Sequence, residues 1–304
     1  MDVRHVFFES ATFTRATLMG KWSRWLAFVL LGLPWLALTT LADSWKIIDA
    51  TGIHWRLVPW HEAGLLVLAG LLCNFIISGY IVRLLRGDPT PPEFDNWHLL
   101  FLDGIKVHVI PLVWILVPVV LTYIEYSTTV SELRSGSQIG STVGWLLVLV
   151  LILIQLIILF IAVQYGIVGA IRFARTGSIR EAFAVLTIRE TLSNIGLVNY
   201  FIGLGVITVV WLVFNYALHL LALLPYAGPI LVLGLGPFLT IFCIRFISHS
   251  CDDALPPAVA EPVPVPIRTV IPETFAWLGI LAVLFVLCFT PMALVVGSVT
   301  GLFL

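Results

Sequence analysis

Arg83, Arg86, Asp88, Glu93 and Asp95 crowd ionisable side chains into one stretch, GYIVRLLRGDPTPPEFDNWHLL (Gly79 to Leu100), and Asp103 follows just beyond it. Guanidinium groups match phosphate oxygens in a bidentate geometry, so this set could cradle a phosphate-bearing headgroup, with the acids available to a cationic one. The competing use of the same residues is structural: they would end a helix, pair with one another and orient the chain in a membrane. Arg172 and Glu181 repeat the pairing of a basic and an acidic residue further along, and with Arg83, Arg86 and Glu93 they form the candidate ligand or lipid contacts.

Other chemistry is thinner. HSCDD, His249 to Asp253, offers nitrogen, sulfur and oxygen donors, but it lacks a second cluster at ligand spacing, so no metal site is expected. His61 and Glu62 open HEAGL without the second histidine of a zinc-protease helix. Neither a glycine-rich phosphate loop nor a G-x-S-x-G elbow is present, and no cofactor is expected. Two runs of polar residues lie within apolar segments. Pro111, Pro118 and Glu125, with His108 and Thr122 beside them, form a kinked polar stripe on one helix, and Thr208, Asn215 and His219 form another. Thr122, Glu125, Thr208, Asn215 and His219 are therefore a candidate intramembrane polar site, against the plainer reading of hydrogen bonds between helices.

These residues must be positioned by elements that live in lipid. With 60% hydrophobic and 11% charged residues the chain lies far outside the range of soluble domains. A net charge of −1 without a basic face excludes a nucleic-acid partner. Bare backbone groups cannot be left in hydrocarbon and period-2 alternation is absent, so the spans are helices. Apolar runs at about 22–42, 61–82, 105–126, 143–171, 195–224, 227–248 and 274–303 give seven of them. The first is read as a retained span rather than a cleaved signal. With the N-terminus cytoplasmic, all sixteen Lys and Arg except Lys46, Arg56 and Arg134 fall on the inner side, which places the C-terminus outside and the chain in the plasma membrane. Residues 1–251 form a six-span body, the proline-rich stretch 252–272 a cytoplasmic linker, and 273–304 a final span, with no disulfide framework among the four cysteines.

An offset of 86 residues superimposes Arg86 on Arg172, Trp97 on Phe183 and Thr122 on Thr208, which suggests an internal repeat running twice in the same direction. Each copy carries an amphipathic stretch after its basic residues. The two segments, Phe94 to Ile105 and Ile179 to Leu192, are expected as interfacial helices lying side by side in a collar, with Arg86 near Glu93 and Arg172 near Glu181 in exposed pairs. DPTPP stops one span and redirects the chain, since proline cannot continue a helix.

GYIVRLLRGDPTPPEFDNWHLLFLDGIK, Gly79 to Lys106, resembles the signature of a family of mainly archaeal membrane proteins, domain of unknown function 4013. AVQYGIVGAIRFARTGSIREAFAV, Ala162 to Val185, is similar to the second half of that family. The resemblance spans about residues 10 to 255. It implies the architecture and supplies no catalytic residues. The overall expectation is an all-α polytopic membrane protein that binds membrane lipids or a membrane-protein partner without catalysis. A transporter or permeation protein for a small solute is the alternative, and an intramembrane enzyme the second alternative.

Overall fold

The computed structural model describes residues 3–44, 48–49, 52–53, 58–134, 142–224, 227–255 and 267–302. Its helices are α1 (Val3–Met19), α2 (Trp22–Ser44), α3 (Trp60–Leu85), α4 (Trp97–Arg134), α5 (Thr142–Thr176), α6 (Val185–Ile195), α7 (Leu197–Ala222), α8 (Ala227–Ser250) and α9 (Ile267–Leu302), with short 3-10 turns at Ile179–Phe183 and Asp252–Ala254. Between α2 and α3, β1 (Ile48–Asp49) and β2 (Gly52–Ile53) make a minimal antiparallel pair. Among the described residues seven helices, α2 to α5 and α7 to α9, are long and apolar enough to cross a membrane. The protein is an all-α, multi-pass membrane protein.

The spans alternate in direction, so the chain ends of α3, α5 and α8 meet the starts of α2, α4 and α7 at one arginine-rich end of the bundle. Two glycines set the helix stops there. Gly87 (φ 88°) follows α3 and Gly177 (φ 70°) follows α5, each in the left-handed region that closes a helix without steric penalty. Gly177 N–H donates to Phe173 O at 2.8 Å, satisfying a carbonyl of the last turn. The loop after Gly87 has no regular hydrogen bonds of its own, and side chains from the helices supply them. Arg83 donates to the carbonyls of Glu93 (2.8 Å) and Asp95 (3.1 Å), Tyr80 to that of Pro92 (3.0 Å), and Arg245 to that of Asp88 (3.1 Å). Buried backbone polar groups must be paired, and here arginines do it.

α3 and α4 touch backbone to backbone. A Cβ at Gly79 would lie 1.8 Å from Leu100 O, and one at Gly104 would lie 1.7 Å from Phe75 O. Beside this crossing Phe28, Tyr80 and Phe94 interlock, with Tyr80 and Phe94 stacked at 4.2 Å and Phe28 edge-on to both. The second cluster holds Val82, Ile110, Ile171 and Ala182, with Ile179 and Phe183 packed on it.

Several expectations change. Trp97 to Ile105 is the unbroken start of α4 rather than a separate interfacial helix; Gly104 and Pro111 lie within that helix without ending it. Ile179 to Leu192 remains a distinct segment, a 3-10 turn followed by α6, which packs against α5 and α7. Phe94 and Phe183 belong to different clusters, so the two segments are not a side-by-side collar. Residues before Trp22 form α1, whose buried face of Val6, Ser10, Phe13, Thr14, Thr17 and Leu18 follows helical spacing. Its hydroxyls bond to carbonyls four residues back, so they cost nothing when buried. The last helix starts at Ile267, ahead of the expected boundary, and packs along α4, with Lys106 2.7 Å from Glu273. Residues 256–266 of the proline-rich stretch lie outside the described residues.

Candidate functional site

The arginine-rich end is a layer of ion pairs in which the arginines are the buried partners. Arg83 pairs with Asp95, Arg172 with Glu181, and Arg175 with Asp252, while Arg245 meets Glu9 at 3.1 Å. Arg86 lies 3.8 Å from Asp103, and Glu93 pairs instead with Lys21 and, at 3.6 Å, with Arg24. The guanidiniums are 3–10% exposed, whereas the acids other than Asp103 are about a third to over a half exposed. The expected pair of Arg172 with Glu181 is present; the expected pair of Arg86 with Glu93 is replaced. Arg83, Arg86, Glu93, Arg172 and Glu181 are thus all engaged within the protein.

Glu93 is itself exposed, and the hydrogen bond from Lys21 holds its carboxyl below the usual range. Cys251 is different: burial pushes its thiol up to about 12, despite the opposing charge of Arg175, so it is an inert packing residue.

Arg83 and Arg172 both reach an acid in the segment after their helix, and Arg86 and Arg175 both follow one turn later; the arginines, like Phe94 and Phe183, are 89 residues apart, whereas the acids Asp95 and Glu181 keep the offset of 86. Arg175, Arg245, Arg24 and Glu9 are not candidate site residues in the sequence reading, and Asp252 enters it only within HSCDD. The doubled R-x-x-R before a stop glycine was the available signal for Arg175. For Glu9 and Asp252 no local signal exists, because their partners are remote in the chain.

Beside this layer, α5, α6 and α7 enclose a cleft of about 690 Å³. Its lining includes Arg189 and Ser193 of α6, Asn199 and Phe201 of the first turns of α7, and Phe160 and Ile161 of α5. Phe160 and Phe201 stack at 6.0 Å, and the hydroxyl of Tyr200 donates to Gln164 Oε1 at 2.6 Å behind them. Arg189 is exposed and makes no ion pair among the described residues, unlike the arginines of the buried layer.

The intramembrane polar residues divide between two places. Thr122 accepts a hydrogen bond from Gln155 Nε2 at 2.8 Å, which joins α4 to α5, and the same amide donates to Pro118 O at 2.5 Å. Glu125 is half-buried on the same helix. On α7, Asn215 donates to Trp211 O of its own helix at 3.0 Å, while Thr208 and His219 are exposed. α7 packs against α8 and α6 and α4 against α3, α5 and α9, so the two stripes do not face each other across a shared path.

No curated protein and no solved structure matches the chain. The family described as "Protein of unknown function (DUF4013)" matches residues 63–223, more than half of its length and the part that contains α3 to α7. The chain belongs to the DUF4013 family of membrane proteins.

Proposed function

We propose that the protein is a non-catalytic plasma-membrane component that holds an anionic lipid in the cleft between α5, α6 and α7, with its arginine-rich end in the cytoplasm. One observation carries this reading. The lining of the cleft combines a cationic and polar set, Arg189, Ser193 and Asn199, with an aromatic and aliphatic set, Phe160, Ile161 and Phe201, which are the two kinds of surface that a lipid headgroup and its chains require. Arginine serves a phosphate as a bidentate donor, and its position beside the buried arginine layer suits headgroup depth. The exposed side chain of Val198 adds to the apolar part of the lining. The basic end is placed inside by the positive-inside rule.

The test is the lipid that stays bound. Protein extracted with a mild detergent and examined by native mass spectrometry is expected to retain anionic lipid. Arg189→Gln is expected to lose most of it, while Arg180→Gln, exposed and outside the cleft, retains it. Equal retention by both variants would contradict the reading.

A further inference from the structure

Two histidines and a carboxylate from opposite ends of the chain converge at the arginine-rich end. His5 and Glu9 are one turn apart on α1 and His249 is in the last turn of α8, and one donor atom of each lies within 4.8 Å of the others. His249 Nε2 is 2.6 Å from Glu9 Oε2, and His5 Nδ1 is 3.9 Å from the same oxygen. The imidazole rings flank that carboxylate with centroids 6.0 Å apart.

Two of the three donors are braced by a neighbour. His249 Nδ1 lies 2.5 Å from Asp252 Oδ2, and Arg175 holds the other oxygen of Asp252. Arg245 donates to Glu9 Oε1 at 3.1 Å, which leaves Oε2 to the histidines. A carboxylate at Nδ1 draws the imidazole proton to that side and presents Nε2 as a lone pair, the arrangement that metal-binding histidines adopt. Nε2 of His249 and Oε2 of Glu9 would then be two acceptors at hydrogen-bond distance. Only a cation between them, a proton or a metal ion, resolves that contact.

We propose that His5 Nδ1, Glu9 Oε2 and His249 Nε2 bind one divalent metal ion of the zinc class, clasping α1 to the end of α8. Two imidazoles and one carboxylate are a zinc ligand set that leaves a fourth position for water, and imidazole nitrogen selects against magnesium and calcium. The ion replaces the bridging proton, and tetrahedral ligation asks the 2.6 Å contact to open to about 3.3 Å, a side-chain adjustment. His5 is exposed, so the ion enters from the aqueous phase. The site lies on α1 and α8, apart from the lipid cleft, so its test is independent of that reading.

The experiment uses the full chain with a histidine-free tag at its C-terminus, stripped with chelator, loaded with Zn²⁺ and dialysed. One zinc per chain is expected, with a raised melting temperature that reverses on chelation. His5→Ala, an exposed position, should still fold and should weaken zinc binding at least tenfold. Asp252→Asn, acting through His249, should weaken it about tenfold. A wild-type chain that retains no zinc, or His5→Ala binding zinc as tightly as wild type, overturns the proposal, and His5→Ala decides it even where His249→Ala fails to fold.

Discussion

Arg175 is 4% exposed and its guanidinium reaches Asp252 and the carbonyl of Ser248, so it ties the end of α5 to the end of α8. Buried ion pairs add little net stability, but removing one partner leaves the other without its match. Asp252 is 31% exposed, so water takes up part of that loss. Arg175→Gln is expected to lower stability by about 1–3 kcal/mol, and Arg180→Gln, on the exposed face, to change it by less than about 0.5 kcal/mol, both read by thermal unfolding in detergent. Glu93 gives a pH signature. Its folded carboxyl sits below the ordinary value of 4.5 because Lys21 donates to it, with the charges of Lys21 and Arg24 adding and that of Asp95 opposing. A depressed folded value means that the contribution is complete above 4.5 and is lost as pH falls through the folded value. Melting curves of wild type and Glu93→Gln should therefore differ near neutral pH and converge on acidification; a constant difference would exclude this role.

At the scale of elements, the crossing of α3 and α4 rests on two missing side chains. A methyl at Gly79 or Gly104 would meet a backbone carbonyl, which cannot rotate away, so the helices must separate. Gly79→Ala and Gly104→Ala are each expected to cost about 1–3 kcal/mol, the usual range for overpacking a fitted contact. Gly205→Ala, which meets nothing within 4 Å, is the control and should be neutral or slightly stabilising. The seven spans were legible in the sequence because uninterrupted apolar runs have few other solutions. α1 was not, since its amphipathic face is interrupted by Arg4, Glu9 and Arg15 and never amounts to a hydrophobic run. Nor was the continuity of α4: the amphipathic pattern from Phe94 is common to a surface helix and to the first turns of a span, and only packing on α3 distinguishes them.

For the whole molecule, the distribution of charge marks out the basic end, and the pairing of those charges is not legible in it. Lys and Arg counts locate the basic end, but which acid meets Arg86 or Glu93 depends on helix crossings that no local spacing encodes. The R-x-x-R doubling was present in the sequence, yet the offset of 86 concealed it because Leu- and Ile-rich segments align at many registers. Cys251, although it lies at the basic end, is 1% exposed and cannot report topology. Cysteines at the exposed positions Arg180 and His61 can. In intact cells an impermeant maleimide should label His61→Cys and leave Arg180→Cys unlabelled until the membrane is opened. The reverse pattern would invert the assigned orientation.

The proposed occupancy of the cleft of α5, α6 and α7 by an anionic lipid is tested most directly by photo-crosslinking with an anionic lipid that carries its reactive group along the hydrocarbon chain. Mass spectrometry of the digested protein is predicted to place the adducts on 160–165 and 196–201, with the yield falling in Arg189→Gln. Adducts spread evenly around the bundle, or concentrated in the apolar groove of Trp35, Leu36 and Leu233 between α2 and α8, would contradict it.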